Sequence, residues 1–177
     1  MEAIFSTKER IKILKSVIFT KQPISVNAVA ARLKISKGLV SKYLDVLLKE
    51  GIAKKSSGKY LIVDSPITKA AKILLNIKGI DAGIFKRFDF VVAAGLYGSC
   101  AKGENTDESD IDIWIKIEDI SDEKAASLNA QMNKKIKNVK PLFLSAKKIE
   151  KIKKNDELFY HSLVFGSIVL YGESDAI

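Results

Sequence analysis

The chain is poor in the residues that build cross-links and most metal centres. Its 177 residues include one cysteine, Cys100, and one histidine, His161. A single cysteine excludes an internal disulfide and is the usage of a reducing compartment. One Cys and one His leave no ligand set for a zinc centre. The three prolines, Pro23, Pro66 and Pro141, act as punctuation along the chain. Long apolar runs are absent too. The longest stretch, from Leu163 to Tyr171, is interrupted by Gly166 and Ser167 and is too short to span a bilayer. Met1 to Arg10 holds no signal-peptide apolar core. A cytoplasmic protein with no membrane role is the expectation. There is no internal repeat and no low-complexity tract.

What is present is positive charge, unevenly spread. The net charge is +9. Residues 1–64 hold thirteen Lys/Arg against five Asp/Glu, and the remainder holds seventeen against sixteen. Nearly all the excess therefore lies in the first third. Such asymmetry suits a nucleic-acid-binding module joined to a near-neutral partner domain. An apolar content of 47% supports a real core.

The first third reads as three helices and a hairpin. Ile11, Leu14, Ile18 and Phe19 recur at helical spacing over Ser6 to Thr20, and Pro23 ends that helix. Ser25 is placed to cap a second helix carrying Val29, Ala30 and Leu33, and Ser36 a third, with Leu39, Val40, Tyr43, Leu44, Leu47 and Leu48 on its apolar side. Two short strands flank the Ser56-Ser57-Gly58 turn. Beyond Asp64-Ser65-Pro66 come linker helices, then strands over Phe90–Tyr97, Ser109–Ile117 and Val139–Leu144. A helix over Asp122–Asn138 and a helical segment over Ala146–Phe165, split near Asn155, complete the pattern. The domain reading is 1–64, a linker 65–88, and 89–177. The fold class is α+β.

The densest signal is Leu96-Tyr97-Gly98-Ser99, then a polar loop, then Ser109-Asp110-Ile111-Asp112-Ile113. An apolar strand enters a Gly-Ser turn, where backbone N–H groups can approach a phosphate closely. The next strand carries carboxylates at i and i+2, which share a face. Two carboxylates there repel unless a cation lies between them, and hard oxygen ligands suit Mg²⁺ or Mn²⁺.

This compound pattern resembles the DNA polymerase beta-like nucleotidyltransferase superfamily, and more narrowly its minimal, small-protein branch. Besides the spacing, Ala101 and Gly103 fall where that signature has similar residues. The resemblance covers about Phe88 to Gly172. It implies that Asp110 and Asp112 are metal ligands and catalytic, that Gly98 and Ser99 bind the terminal phosphates of an NTP (ATP by default), and that the reaction is NMP transfer to an acceptor. Lys102 is a further phosphate-binding candidate. The acceptor implied is a small molecule or a protein, such as a toxin-like partner. One departure stands out. The superfamily commonly takes a third carboxylate from the next strand, but here Val139-Lys140-Pro141-Leu142-Phe143-Leu144 holds no acid and places Lys140 near that position. A lysine there contacts phosphate as a point charge or replaces a metal's charge.

Residues 6–63 resemble a winged helix-turn-helix domain, carried by Val29–Leu44 and Leu47–Ile52. The resemblance places the N-terminal half of the third helix in the DNA major groove, with Ser36, Lys37, Ser41 and Lys42 as contacts. Lys54, Lys55 and Lys59 belong to a basic wing. Duplex DNA is the implied partner, and a homodimer the accompanying expectation. Two functions stay open: a Mg²⁺-dependent nucleotidyltransferase directed or regulated by its DNA-binding domain, or a DNA-binding transcriptional regulator whose second domain binds nucleotide or a partner without catalysis.

Overall fold

The computed structural model describes residues 2–118, 121–173 and 177, with the side chain of Asp122 outside that description. By internal contacts the chain divides into two units, Met1–Leu75 and Asn76–Ile177. Among the described residues no helix is long and apolar enough to cross a membrane.

The first unit is helical. A short helix α1 (Glu2–Phe5) precedes α2 (Lys8–Val17), whose first turn is closed by Thr7 accepting from the Arg10 amide. Helix α3 (Val26–Leu33) ends at Lys34, in the left-handed region at φ 55°. Helix α4 (Lys37–Lys49) starts immediately afterwards, with the Ser36 hydroxyl oxygen accepting from the Leu39 amide. The connection is thus the tight turn a helix-turn-helix needs. Strands β1 (Ala53–Ser56) and β2 (Lys59–Ile62) pair antiparallel around Ser57 and Gly58, both at positive φ, as a two-residue hairpin turn requires. A backbone bridge from Ile24 to Tyr60 adds an edge to this small sheet, a feature no local periodicity announces. Ile13, Leu14, Val17, Val29, Val40, Leu44 and Leu47 form the core. Tyr43 is fully buried among them and its hydroxyl donates to the Ile4 carbonyl at 2.8 Å.

Helix α5 (Pro66–Gly79) begins with proline at its first position, where no amide hydrogen bond is lost. Ala71 and Leu75 pack into the helical core, whereas Ile80, Ile84 and Phe85 pack into the second one. The stretch expected as a linker is therefore shared between two cores, because its apolar residues need burial on both sides of the boundary.

The second unit is a four-stranded mixed sheet in the order β5-β4-β3-β6. Its strands are β3 (Val91–Leu96), β4 (Ile111–Ile117), β5 (Val139–Leu144) and β6 (Ile168–Tyr171). β3 runs antiparallel to β4 and β6, while β4 and β5 are parallel and joined through α7 (Asp122–Lys135). β5 is an edge strand, which accommodates Pro141. Its neighbour Ile111 is the first residue of β4 in register, so Asp110 sits just before the ladder and Asp112 within it.

Both faces of this sheet are covered. On one, Ile113, Ile115 and Val139 meet Leu128, Met132 and Ile136 of the α7 region and Ile84 and Phe85 of a 3-10 turn. On the other, Trp114 meets Ala93, Leu144 and Leu163, with Ile149, Ile152 and Phe159 from α8 (Ala146–Asn155) and α9 (Glu157–Gly166) packed around them. Trp114 is 1% exposed. Its indole lies on Gly95, where a Cβ would sit 2.4 Å from the ring. The face carrying Asp112 therefore turns from a polar rim into a second core within one strand step.

Candidate functional site

The site is built where β3 ends. Tyr97 has extended backbone, Gly98 turns at φ +66°, and the five-residue helix α6 (Gly98–Lys102) follows. The Tyr97 amide donates to the Asp112 carbonyl at 3.0 Å, tying the turn to β4. On the side-chain side the approach is closer still. A Cβ built on Gly98 would lie 2.7 Å from Asp112 Oδ2. Glycine is required here twice over, by its positive φ and by the carboxylate that occupies the space of a side chain. The Asp112 carboxylate is thus aimed at the Gly-Ser turn.

Electrostatics agree with this crowding. Burial, and next the neighbouring Asp110 charge, raise the Asp112 carboxyl above its ordinary range, while Lys140 pulls the other way. Asp110 itself is exposed. Burial also raises the Tyr97 hydroxyl, with Asp112 adding to it, and the Tyr97 ring packs edge-on against Phe159 at 6.3 Å between centroids.

Cys100 is buried, its thiol pushed up to about 11 by burial first and Asp112 second, with its Sγ against the Asp110 carbonyl at 3.4 Å. Cys100 points into the core on the inner side of α6. A thiol held in this form is not a nucleophile.

Ser99 is half-buried beside Gly98, and its carbonyl accepts from the Gly103 and Glu104 amides, closing α6. Lys102 lies in the exposed last turn of α6. Lys140 is the cross-strand partner of Asp112.

Two residues of this region carry no signature in the sequence. Asn105 is 6% exposed and forms a reciprocal amide pair with Asn76 (3.0 and 3.2 Å), while Asn76 also donates to the Cys100 carbonyl at 2.8 Å. These bonds pin the loop between Ser99 and Asp110 to the end of α5. In the sequence, Glu104-Asn105-Thr106 reads as ordinary solvated loop, and only the tertiary contact reveals its role. At the loop's far end the Ser109 hydroxyl accepts from the Thr106 amide at 2.9 Å, delivering the chain into Asp110.

In the helical unit, Lys37, Lys42, Lys54, Lys55 and Lys59 are all exposed. Ser36 is exposed but its oxygen caps α4. Ser41 is half-buried and faces Tyr60, whose hydroxyl donates to Asp45 at 2.6 Å and is raised chiefly by that bond. The Ser41 hydroxyl thus serves the contact between α4 and the hairpin as well as the outer surface. Lys55 lies over the Tyr60 ring at 5.4 Å, which orients one wing lysine.

Fold and site together define a nucleotidyltransferase-type α+β domain joined to a helix-turn-helix module. The profile of the family described as "Polymerase beta, Nucleotidyltransferase" matches residues 82–176. The chain belongs to this family. A second profile, described as "Bacterial regulatory protein, arsR family", matches residues 7–55 and covers the helix-turn-helix. No curated protein matches the sequence. Among solved structures, one from Sulfolobus solfataricus described as a "putative nucleotidyltransferase" aligns with 16% identity, covering 60% of this chain and 89% of that one at a TM-score of 0.40. At that score the likeness carries no weight on function.

Proposed function

We propose that this protein transfers an NMP group from an NTP, ATP by default, to a hydroxyl-bearing acceptor, and that its helix-turn-helix unit binds duplex DNA. The observation that carries the reading is the seating of the Asp112 carboxylate against the backbone of Gly98. It sets a carboxylate beside a glycine turn, the pairing that metal-assisted phosphate chemistry uses.

The residues fit a divalent cation. Asp110 and Asp112 are hard oxygen donors two positions apart, and Asp112 is turned toward the Gly-Ser turn. Bound there, Mg²⁺ or Mn²⁺ would supply Lewis-acid polarisation of a phosphoryl oxygen. Gly98 and Ser99 would hold the phosphates through backbone N–H groups and the Ser99 hydroxyl. In the reaction the acceptor oxygen forms a bond to the α-phosphorus, the bond from that phosphorus to the bridging oxygen breaks, and pyrophosphate leaves. The acceptor's proton passes to solvent. A protein acceptor, such as a toxin-like partner, is as compatible with the open polar rim as a small molecule.

DNA binding would rest on Lys37 and Lys42 of α4 and on Lys54, Lys55 and Lys59 of the hairpin. Lysines at a groove bind phosphates without reading bases.

A second reading is favoured by Lys140, which stands where an additional acid would serve two-metal chemistry. On this reading the chain is a DNA-binding regulator whose second domain binds nucleotide without turnover. Incubation with labelled ATP and Mg²⁺ separates the two. Label on an acceptor, lost in Asp110→Ala, supports transfer. Calorimetric nucleotide binding with no label on any acceptor supports the regulator.

A further inference from the structure

We infer that the Asp110/Asp112 site takes a single divalent cation per bound nucleotide, with the Lys140 ammonium group standing in place of a second ion against the phosphates. This rests on the nucleotide-binding reading above and goes beyond it.

The first support is register. Asp112 and Lys140 are partners across the parallel β4–β5 ladder. Partners on adjacent strands, spaced about 4.8 Å apart, project from the same face. The face is fixed by packing on either side. Val139 and Phe143 of β5 pack with Ile113 and Ile115, while Leu142 and Leu144 pack with Trp114. A slip by one residue would invert all of them at once. Lys140 is therefore held on the face of Asp112 and Trp114, at the open end of an edge strand, with its side chain exposed.

The second support is charge. A two-ion clamp keeps its cations about 3.5–4 Å apart, so the protein must supply enough anionic ligand to offset their repulsion. Among the described residues no group of three or more His, Cys, Asp or Glu side chains is placed to hold a metal. Asp110, Asp112 and Lys140 together carry a net charge of minus one. One divalent cation turns this to plus one, and a second would turn it to plus three beside a fixed ammonium. The nucleotide's phosphates lower both totals equally, so the comparison stands. A lysine on a flexible stem is also suited to meet a phosphate oxygen as a compact point charge.

The test counts ions in the full chain. Mn²⁺ is titrated into protein with one equivalent of α,β-methylene-ATP, and free Mn²⁺ is read by electron paramagnetic resonance. Wild type should hold one Mn²⁺ per protein-bound nucleotide and Lys140→Asp two. Lys140→Met should hold one, with nucleotide affinity lowered roughly tenfold. Two ions on the wild type, an unchanged count in Lys140→Asp, or full nucleotide affinity in Lys140→Met would each overturn the inference. Lys140 is exposed, and matched melting curves verify that both variants fold. Two ions with normal nucleotide binding would remove the inference alone. A wild-type chain that binds no nucleotide would remove the parent reading with it.

Discussion

The two units place their candidate binding residues in opposite ways. In the helical unit, Lys37, Lys42, Lys54, Lys55 and Lys59 stand exposed on a surface whose core is built by other residues. In the sheet unit, Gly98, Ser99 and Asp112 are pressed together at the end of a strand, and Asp112, Tyr97 and Cys100 all have raised pKa values there, with burial the largest cause. On the proposed function, the first arrangement would work through a summed electrostatic field that is additive, salt-dependent and tolerant of single changes. The second would work through contact geometry, where a misplacement of about 1 Å is severe. One chain thus carries a diffuse surface and a tight one, and mutation should tell them apart.

The largest expected effect is at Asp112. Asp112→Asn should reduce NMP transfer on the order of 10³-fold, by analogy with removing an electrostatic anchor from a reacting centre. The same variant should melt slightly higher than wild type without metal. The sign follows from the raised carboxyl. Between the unfolded-state pKa of about 3.9 and the higher folded value, the native state holds a proton that the unfolded state lacks. Asp112 therefore costs stability at neutral pH, and the cost fades as pH falls through the folded pKa. A rise of roughly one or two degrees is expected, and calorimetry at pH 7 without metal checks it. A lower melting temperature would show that the carboxylate is stabilised by its surroundings and not strained by them.

Next comes Gly98→Ala. The added methyl must displace Asp112 Oδ2 while the backbone holds a positive φ. Nucleotide affinity should fall, and NMP transfer should drop by about 10²-fold, the rate cost of a misplacement near 1 Å in a reacting site. Isothermal titration with α,β-methylene-ATP measures the affinity. Wild-type affinity would mean that the turn and the carboxylate do not share a ligand.

Reversing charge in the helical unit should do less per residue. Lys37→Glu with Lys42→Glu should weaken duplex DNA binding and flatten the slope of log K against log salt by about 2, one lost phosphate contact per lysine. Each single reversal should give about half of that. A full slope in the double variant would remove α4 from the DNA interface.

The smallest effect falls on Asn105. Asn105→Ala breaks the pairing with Asn76 and should cost about 1–2 kcal/mol in urea unfolding. Nucleotide affinity should fall only severalfold, because the Tyr97 amide still donates to the Asp112 carbonyl and ties the turn to β4. A loss as large as that of Gly98→Ala would make the asparagine pair part of the binding geometry itself.

Much of this architecture can be read from local pattern. The N-cap positions of Ser25 and Ser36 and the break near Asn155 fall where helical spacing puts them, although Ser25 makes no side-chain cap bond and the helix read over Asp122–Asn138 ends at Lys135. Less legible were features made by residues distant in sequence. The Ile24–Tyr60 bridge, the Asn76–Asn105 pair and the burial of Trp114 under α8 and α9 each join segments with no shared periodicity. Asp112 and Trp114 have the same strand parity, yet one rims the site and the other lies in a core.

Sequence alone determined which elements form, where positive charge accumulates, and that two acids and a Gly-Ser turn occur at a meaningful spacing. These follow from steric preference and hydrophobic period, which act over a few residues at a time. Only tertiary structure decided that Asp112 closes on Gly98 and that Lys140 stands beside it. Both depend on which strands pair and in what register, and that is set by packing on two sheet faces at once.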